Sequence, residues 1–302
     1  MPKAMGKLKA ILKLTRIEHS IMLLAAVAAA EIITAKQLAL VLDIPMIIIS
    51  FLPPVLISMS AFAINDYYDV NVDRANKKFD RPLVSKELSK EDAFYCAVIT
   101  ALAGVAFSAM ININAFVISA IFAALAFLYA YKLKEIALVG NSYVAFAMAI
   151  PFLYGNLVTF NRIIGSIAVI SITVFLSGLA REIQGTIRDY TGDLERNAKS
   201  IAYYAGFIGS EIFAFMLDIA AIALSIWLYA AYQPFKGNIL YILPILVVDL
   251  ALFYLGANYM RVRRGNLNSK KIRRFLKNAR NLSLYSMAAA ILVYLISAII
   301  FI

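Results

Sequence analysis

Long apolar runs alternate with short polar stretches along the whole 302-residue chain. Nine runs stand out, at residues 17–35, 43–64, 93–111, 113–131, 137–158, 163–180, 205–232, 238–259 and 281–302. Each is close to the roughly 20 residues that a helix needs to cross the hydrocarbon of a bilayer. Backbone groups in lipid must be bonded within their own segment, so runs of this length are read as helices. The pattern therefore predicts an all-α polytopic membrane protein with nine transmembrane helices, organised as a single transmembrane domain over 1–302.

Composition agrees with that reading. The chain is 63% hydrophobic and only 16% charged, against about a quarter charged in soluble proteins. The basic N-terminus followed by small residues has the look of a secretory signal, but the apolar run continues past them and eight more follow. One cysteine, Cys96, and one histidine, His19, leave no disulfide framework and no ligand set for zinc.

A net charge of +11 raises the question of nucleic acid, and the placement of the charges answers it. If the nine runs cross in succession, 26 of the 29 Lys and Arg fall on one side and only Lys36, Arg162 and Lys236 on the other. The positive-inside rule then makes the N-terminus and the loops after runs two, four, six and eight cytoplasmic, in a cell-membrane protein. The basicity serves topology and attraction to anionic headgroups, and no nucleic-acid partner is expected. The 261–280 stretch, with Ile272, Phe275, Leu276 and Ala279 at helical spacing among nine cations, is expected to form an interfacial amphipathic helix.

The polar residues at two run ends carry the candidate chemistry. Asn65, Asp66, Asp69 and Asp73 would lie within about 100° of one another on a helix. No Lys or Arg stands between them, so the face becomes favourable on binding cations, and hard oxygen ligands suit Mg²⁺. The following loop supplies Arg74, Lys77, Lys78 and Arg81, donors suited to an anionic ligand such as a diphosphate. Run six leads into Arg181-Glu182 and on to Asp189 and Asp193, with Lys199 and Ser200 close behind. Glu182, Asp189 and Asp193 recur at helical spacing, and four crossings separate the two acidic stretches, which places both on one side. Two such clusters can hold Mg²⁺ ions that bind a diphosphate. Tyr131 and Lys132 are interfacial belt residues or a stacking and phosphate-binding pair. Arg16 and His19, at the mouth of run one, face the site or anchor the interface. Glu211, Asp218 and Asp249 lie near or within runs seven and eight, where an ionisable group is costly and marks a proton path or a buried polar contact.

Departure of a diphosphate from an allylic carbon builds negative charge that Mg²⁺ and cationic side chains stabilise, and the cation left behind needs a dry site. A membrane bundle offers both, together with a place for an isoprenoid tail. Asn65-Asp66-x-x-Asp69-x-x-x-Asp73 followed by Asp80-Arg81-Pro82-Leu83 resembles the first signature of the UbiA-type intramembrane prenyltransferases, and Glu182, Asp189, Asp193 and Lys199-Ser200 resemble the second. The resemblance implies a nine-helix bundle around a central cavity and Mg²⁺-dependent transfer of a prenyl chain from a prenyl diphosphate to a lipophilic acceptor. It also implies Asn65, Asp66, Asp69, Asp73, Asp189 and Asp193 as metal ligands, with Asp69, Asp189 and Asp193 essential to catalysis. By the same resemblance Arg81, Lys132 and Lys199 become diphosphate donors, while Arg16 and Tyr131 are candidate substrate-binding residues by their position at the run ends. Arg181-Glu182 and Gly192-Asp193 are similar to the archaeal branch that makes digeranylgeranylglyceryl phosphate, whereas Gly185 and Thr186 stand where that branch has Lys and Asp. The acceptor is thus geranylgeranylglyceryl phosphate or an aromatic quinone precursor. A transporter with a carboxylate-lined cation path is the rival class, and it would hold its acids near the bilayer midplane.

Overall fold

A computed structural model describes residues 2–41, 43–190, 200–267 and 269–300. Among these residues nine helices are long and apolar enough to cross a bilayer, and there is no strand. In chain order the helices are α1 (Pro2–Thr15), α2 (Ser20–Gln37), α3 (Ile44–Ser50), α4 (Leu52–Ala75), α5 (Lys90–Ala109), α6 (Ile113–Tyr131), α7 (Val139–Thr159), α8 (Gly165–Arg188), the short α9 (Ile201–Tyr204), α10 (Gly206–Ala231), α11 (Ile239–Tyr259) and α12 (Lys270–Ile300). Large apolar side chains such as Leu102, Ile99, Val247 and Leu250 remain well exposed along these helices. An outward apolar face of this extent belongs against lipid.

Helix boundaries follow local chemistry. Pro53 and Pro54 occupy the first turn of α4, beside a break at Phe51. Proline is tolerated there because the first-turn N–H groups have no intrahelical partner. Ser89 opens α5 with a reciprocal capping box, its Oγ accepting from Asp92 N–H and the Asp92 carboxylate accepting from Ser89 N–H. Asn112 caps α6 by accepting from Ala115 N–H at 2.8 Å.

The described chain divides into two compact units, one of residues 1–27 and 42–133, the other of 28–41 and 134–302. In the first, α5 turns a seam of Ala93, Ala97, Ala101, Gly104 and Ser108 inward. Small residues let helices approach closely where lipid offers no hydrophobic drive. Ser60 of α4 uses the approach, donating its hydroxyl to Ala97 carbonyl at 2.7 Å. A Cβ on Gly104 would stand 2.9 Å from Ile57 Cγ1 and 3.1 Å from the Pro53 carbonyl oxygen. Gly104→Ala is therefore expected to destabilise by about 1–3 kcal/mol through overpacking, read as a lower thermal midpoint in detergent. An unchanged midpoint would show that this seam is not close-packed.

In the second unit, α8 packs Leu179, Ala180 and Ile183 with Ala145 of α7 and Ala214 of α10. Two of its buried acids accept side-chain hydrogen bonds. Asp249 of α11 accepts from Ser225 Oγ at 2.7 Å, and Tyr241 donates to the Ser225 carbonyl at 2.8 Å. Asp218 of α10 accepts from Gln184 Nε2 of α8 at 3.4 Å.

One expectation fails. Residues 270–280 do not form a separate interfacial helix but are the first turns of α12, which runs unbroken to Ile300. Leu276 and Ala279 are buried, and Ile272 and Phe275 pack on a cluster holding Leu255, Tyr259 and Val262. The apolar stripe that suggested lipid contact is taken by protein.

Candidate active site

The acidic stretch lies on the last turns of α4, which continues to Ala75 and carries the motif on a single helix. Asp66 and Asp73 are buried, Asn65 and Asp69 half-buried. Lone carboxylates at this burial would be costly. The expectation that no cation relieves them is corrected by the structure, since cations arrive from outside the motif. Arg16 donates to Asp66 Oδ1 at 2.6 Å, and Arg81 donates to the same oxygen at 2.5 Å. Lys78 Nζ donates to Asp73 Oδ1 at 2.8 Å. Asn65 Nδ2 donates to Asp69 Oδ2 at 2.9 Å, which fixes the pair one turn apart. Asp66 and Asp73 are thus met by three cations, and Asp69 by the Asn65 amide.

Arg16 reaches the site through unusual backbone. It follows the end of α1 in the left-handed region, at φ 46° and ψ 50°. For a residue with a Cβ this costs about 1–2 kcal/mol, a strain that the ion pair and a stacking contact offset. The Arg16 guanidinium lies 4.5 Å from the centre of the Phe62 ring, and the His19 ring packs on the same phenyl at 5.4 Å. His19 thereby proves to be a neighbour of the site's supporting aromatic.

The result is a pair of guanidiniums anchored by one buried oxygen. Each guanidinium carries five N–H donors in a fixed fork, and the Asp66 contact uses one from each. The rest suit a multivalent anion. Asp66 Oδ2, by contrast, is buried and has no hydrogen-bond partner among the described residues. A carboxylate oxygen left open in this way fits a hard cation, although no three acidic, imidazole or thiol groups among the described residues converge closely enough to hold an ion unaided. Tyr131 is exposed, its ring 5.8 Å from that of Tyr68 two residues after Asp66. Lys132, exposed, follows it at the end of α6.

The second acidic stretch belongs to the other unit. Arg181 donates to Glu182 Oε1 at 2.9 Å. Asp189 caps the end of α8 and accepts two hydrogen bonds from Arg188, at 2.9 Å from Nε and 2.8 Å from the terminal nitrogen. Asp193 and Lys199 lie outside the described residues. Acids and cations form neighbouring pairs along this helix end. What sequence reasoning missed is the partner of each acid: Lys78 for Asp73 and Arg188 for Asp189. Both stand in the basic stretches beside the acids, but nothing in the spacing singled them out.

Apolar crossings that end in acidic stretches, with Asp66, Asp73, Glu182 and Asp189 each met by a guanidinium or ammonium, mark an integral membrane protein with a candidate site for anionic ligands. Residues 21–299 match the model of the UbiA prenyltransferase family. The chain belongs to that family and is a prenyltransferase. It is 31% identical over 270 residues to the digeranylgeranylglyceryl phosphate synthase of Archaeoglobus fulgidus, covering 89% of this chain and 90% of the relative. A solved structure from work on digeranylgeranylglyceryl phosphate synthase in membranes superposes with a TM-score of 0.78 at 25% identity, over 97% of this chain and 99% of that one. A UbiA homologue of Archaeoglobus fulgidus, solved with GPP and Mg²⁺ bound, shares the fold at TM-score 0.63 and 17% identity, over 94% and 99% of the two chains.

Proposed function

We propose that the protein transfers a geranylgeranyl group from geranylgeranyl diphosphate to the free hydroxyl of geranylgeranylglyceryl phosphate, giving digeranylgeranylglyceryl phosphate in a Mg²⁺-dependent reaction. The observation that carries this reading is the Asp66 carboxylate: one oxygen gathers two guanidiniums and the other is left open in a buried site. Donors for an anion and a seat for a divalent ion thus meet on one side chain. The acceptor rests on the named relative, which resembles this chain over nearly its whole length. None of the relatives named above supports a quinone precursor as acceptor or a cation path.

In this reading Asn65, Asp66, Asp69 and Asp73, with Asp189 and Asp193 of the second stretch, are the Mg²⁺ ligands. The ion supplies charge stabilisation to the departing diphosphate. Arg16 and Arg81 hold the diphosphate oxygens as negative charge develops on them, with Lys132 and Lys199 as further donors. Tyr131 presents an aromatic face at the entrance. The two compact units of the 302-residue chain serve a single reaction. Both acidic stretches follow an even number of crossings from the N-terminus, and the 26 cations that share their side support a cytoplasmic location.

Purified protein supplied with labelled geranylgeranyl diphosphate, Mg²⁺ and geranylgeranylglyceryl phosphate is expected to yield a lipid with two prenyl chains. Chelation with EDTA should stop the reaction and added Mg²⁺ restore it. A product formed only on an aromatic acceptor such as 4-hydroxybenzoate would overturn the acceptor assignment. No prenylated product with either acceptor would overturn the function.

A further inference from the structure

Prenylation of a hydroxyl releases a proton, and the chain must offer something to receive it. Most carboxylates described above are already engaged, each met by a guanidinium, an ammonium, an amide or a hydroxyl. Glu211 is different. It is fully buried on α10, yet neither of its carboxylate oxygens has a hydrogen-bond partner among the described residues. A buried carboxyl group in this state lacks a donor if ionised, and lacks at least an acceptor if protonated. Two open oxygens in a dry interior can take a hydrogen-bonding group that the described residues do not supply.

Glu211 lies on the α10 face turned towards α8. Residues 211, 214 and 218 recur at helical spacing on one face of α10. That face packs on α8, for Ala214 joins the α8 cluster and Asp218 accepts from Gln184. Helix α8 ends at Arg188, beside Asp189 of the second acidic stretch. Tyr259 of α11, itself buried, is within coulombic reach of Glu211, Arg181, Arg188 and Asp189 alike. Glu211 thus belongs to the same neighbourhood as the charged end of α8, on its buried side, where water is scarce.

We propose that Glu211 is the proton acceptor for the hydroxyl-bearing prenyl acceptor. The inference rests on the alcohol-prenylating function proposed above. In the step, the acceptor oxygen forms a bond to the allylic C1 as the bond from C1 to the diphosphate breaks, its electron pair leaving with the diphosphate. The hydroxyl proton passes to a Glu211 carboxylate oxygen. A base placed this way contributes typically 10²–10⁴-fold.

The test separates two channels in the full-length enzyme: transfer to geranylgeranylglyceryl phosphate, and Mg²⁺-dependent release of diphosphate from geranylgeranyl diphosphate without acceptor. Glu211→Gln keeps size and polarity. It is expected to lower transfer about 100-fold while diphosphate release stays within about twofold of the parent. Transfer above a third of the parent rate, or equal loss in both channels, would overturn the assignment, the latter marking a purely structural residue. If the glutamine variant aggregates, Glu211→Asp carries the test: the shortened base should slow transfer alone, and parallel slowing overturns the role. Failure of the unmodified enzyme to prenylate this acceptor would count against the function, not against Glu211.

Discussion

Asp66→Asn is expected to cut prenyl transfer by about 10²–10³-fold and to lower stability at the same time. The carboxylate serves three groups at once. Its Oδ1 holds Arg16 and Arg81, and its Oδ2 is open for a cation. Asparagine fills the same volume but carries no charge, and its NH₂ group would face a guanidinium or the ion. Removing one partner of a fully buried ion pair costs about 3–5 kcal/mol. Both arginine side chains here retain some exposure, 21% and 24%, so solvent screening reduces the figure to about 1–3 kcal/mol. The measurement is turnover with the labelled diphosphate beside the thermal midpoint in detergent. A variant that turns over near the parent rate would remove Asp66 from the site, whatever its midpoint.

The second large effect concerns the two acidic stretches together. Asp69→Asn and Asp189→Asn are each expected to reduce turnover about 10²-fold, with the protein still folded, because both side chains are partly exposed. The informative quantity is the double variant. Groups that act as a unit on one leaving group lose their effect once, so the combined loss should fall far short of the product of the single losses. A double variant whose loss equals that product would mean that the two stretches serve independent events. The pairing of Asp69 and Asp189 in a common reaction would then be wrong.

Much of this architecture can be read from the residues, and the gaps have identifiable causes. Apolar runs mark the crossings because lipid leaves the backbone no alternative to a helix. They do not mark the helix ends. Helix α4 continues past Ile64 to Ala75 and α8 past Ala180 to Arg188, since tertiary contacts override the weak helix propensity of residues such as Asn65, Asp66 and Val70 once the chain leaves the hydrocarbon. The start of α12 was misplaced for a related reason: a stripe of Ile272, Phe275, Leu276 and Ala279 looks the same whether lipid or protein covers it. In the site, the acids stood out by spacing along one helix. Their partners did not, because Arg16 lies 50 positions from Asp66 and meets it only through tertiary packing. Glu211 was conspicuous as a charge in an apolar run, but that its carboxylate has no hydrogen-bond partner among the described residues is a fact of three dimensions.

The length of α12 has a physical corollary. Its 31 residues span about 46 Å, well beyond a hydrocarbon layer of about 30 Å. Even with tilt, some of its turns must stand clear of the acyl chains. The polar end is the amino-terminal one, where Lys270, Lys271, Arg273, Arg274, Lys277 and Arg280 are all exposed. That end acts as a float at the waterline, keeping the helix from sliding inward while its far end stays sunk among the lipid tails.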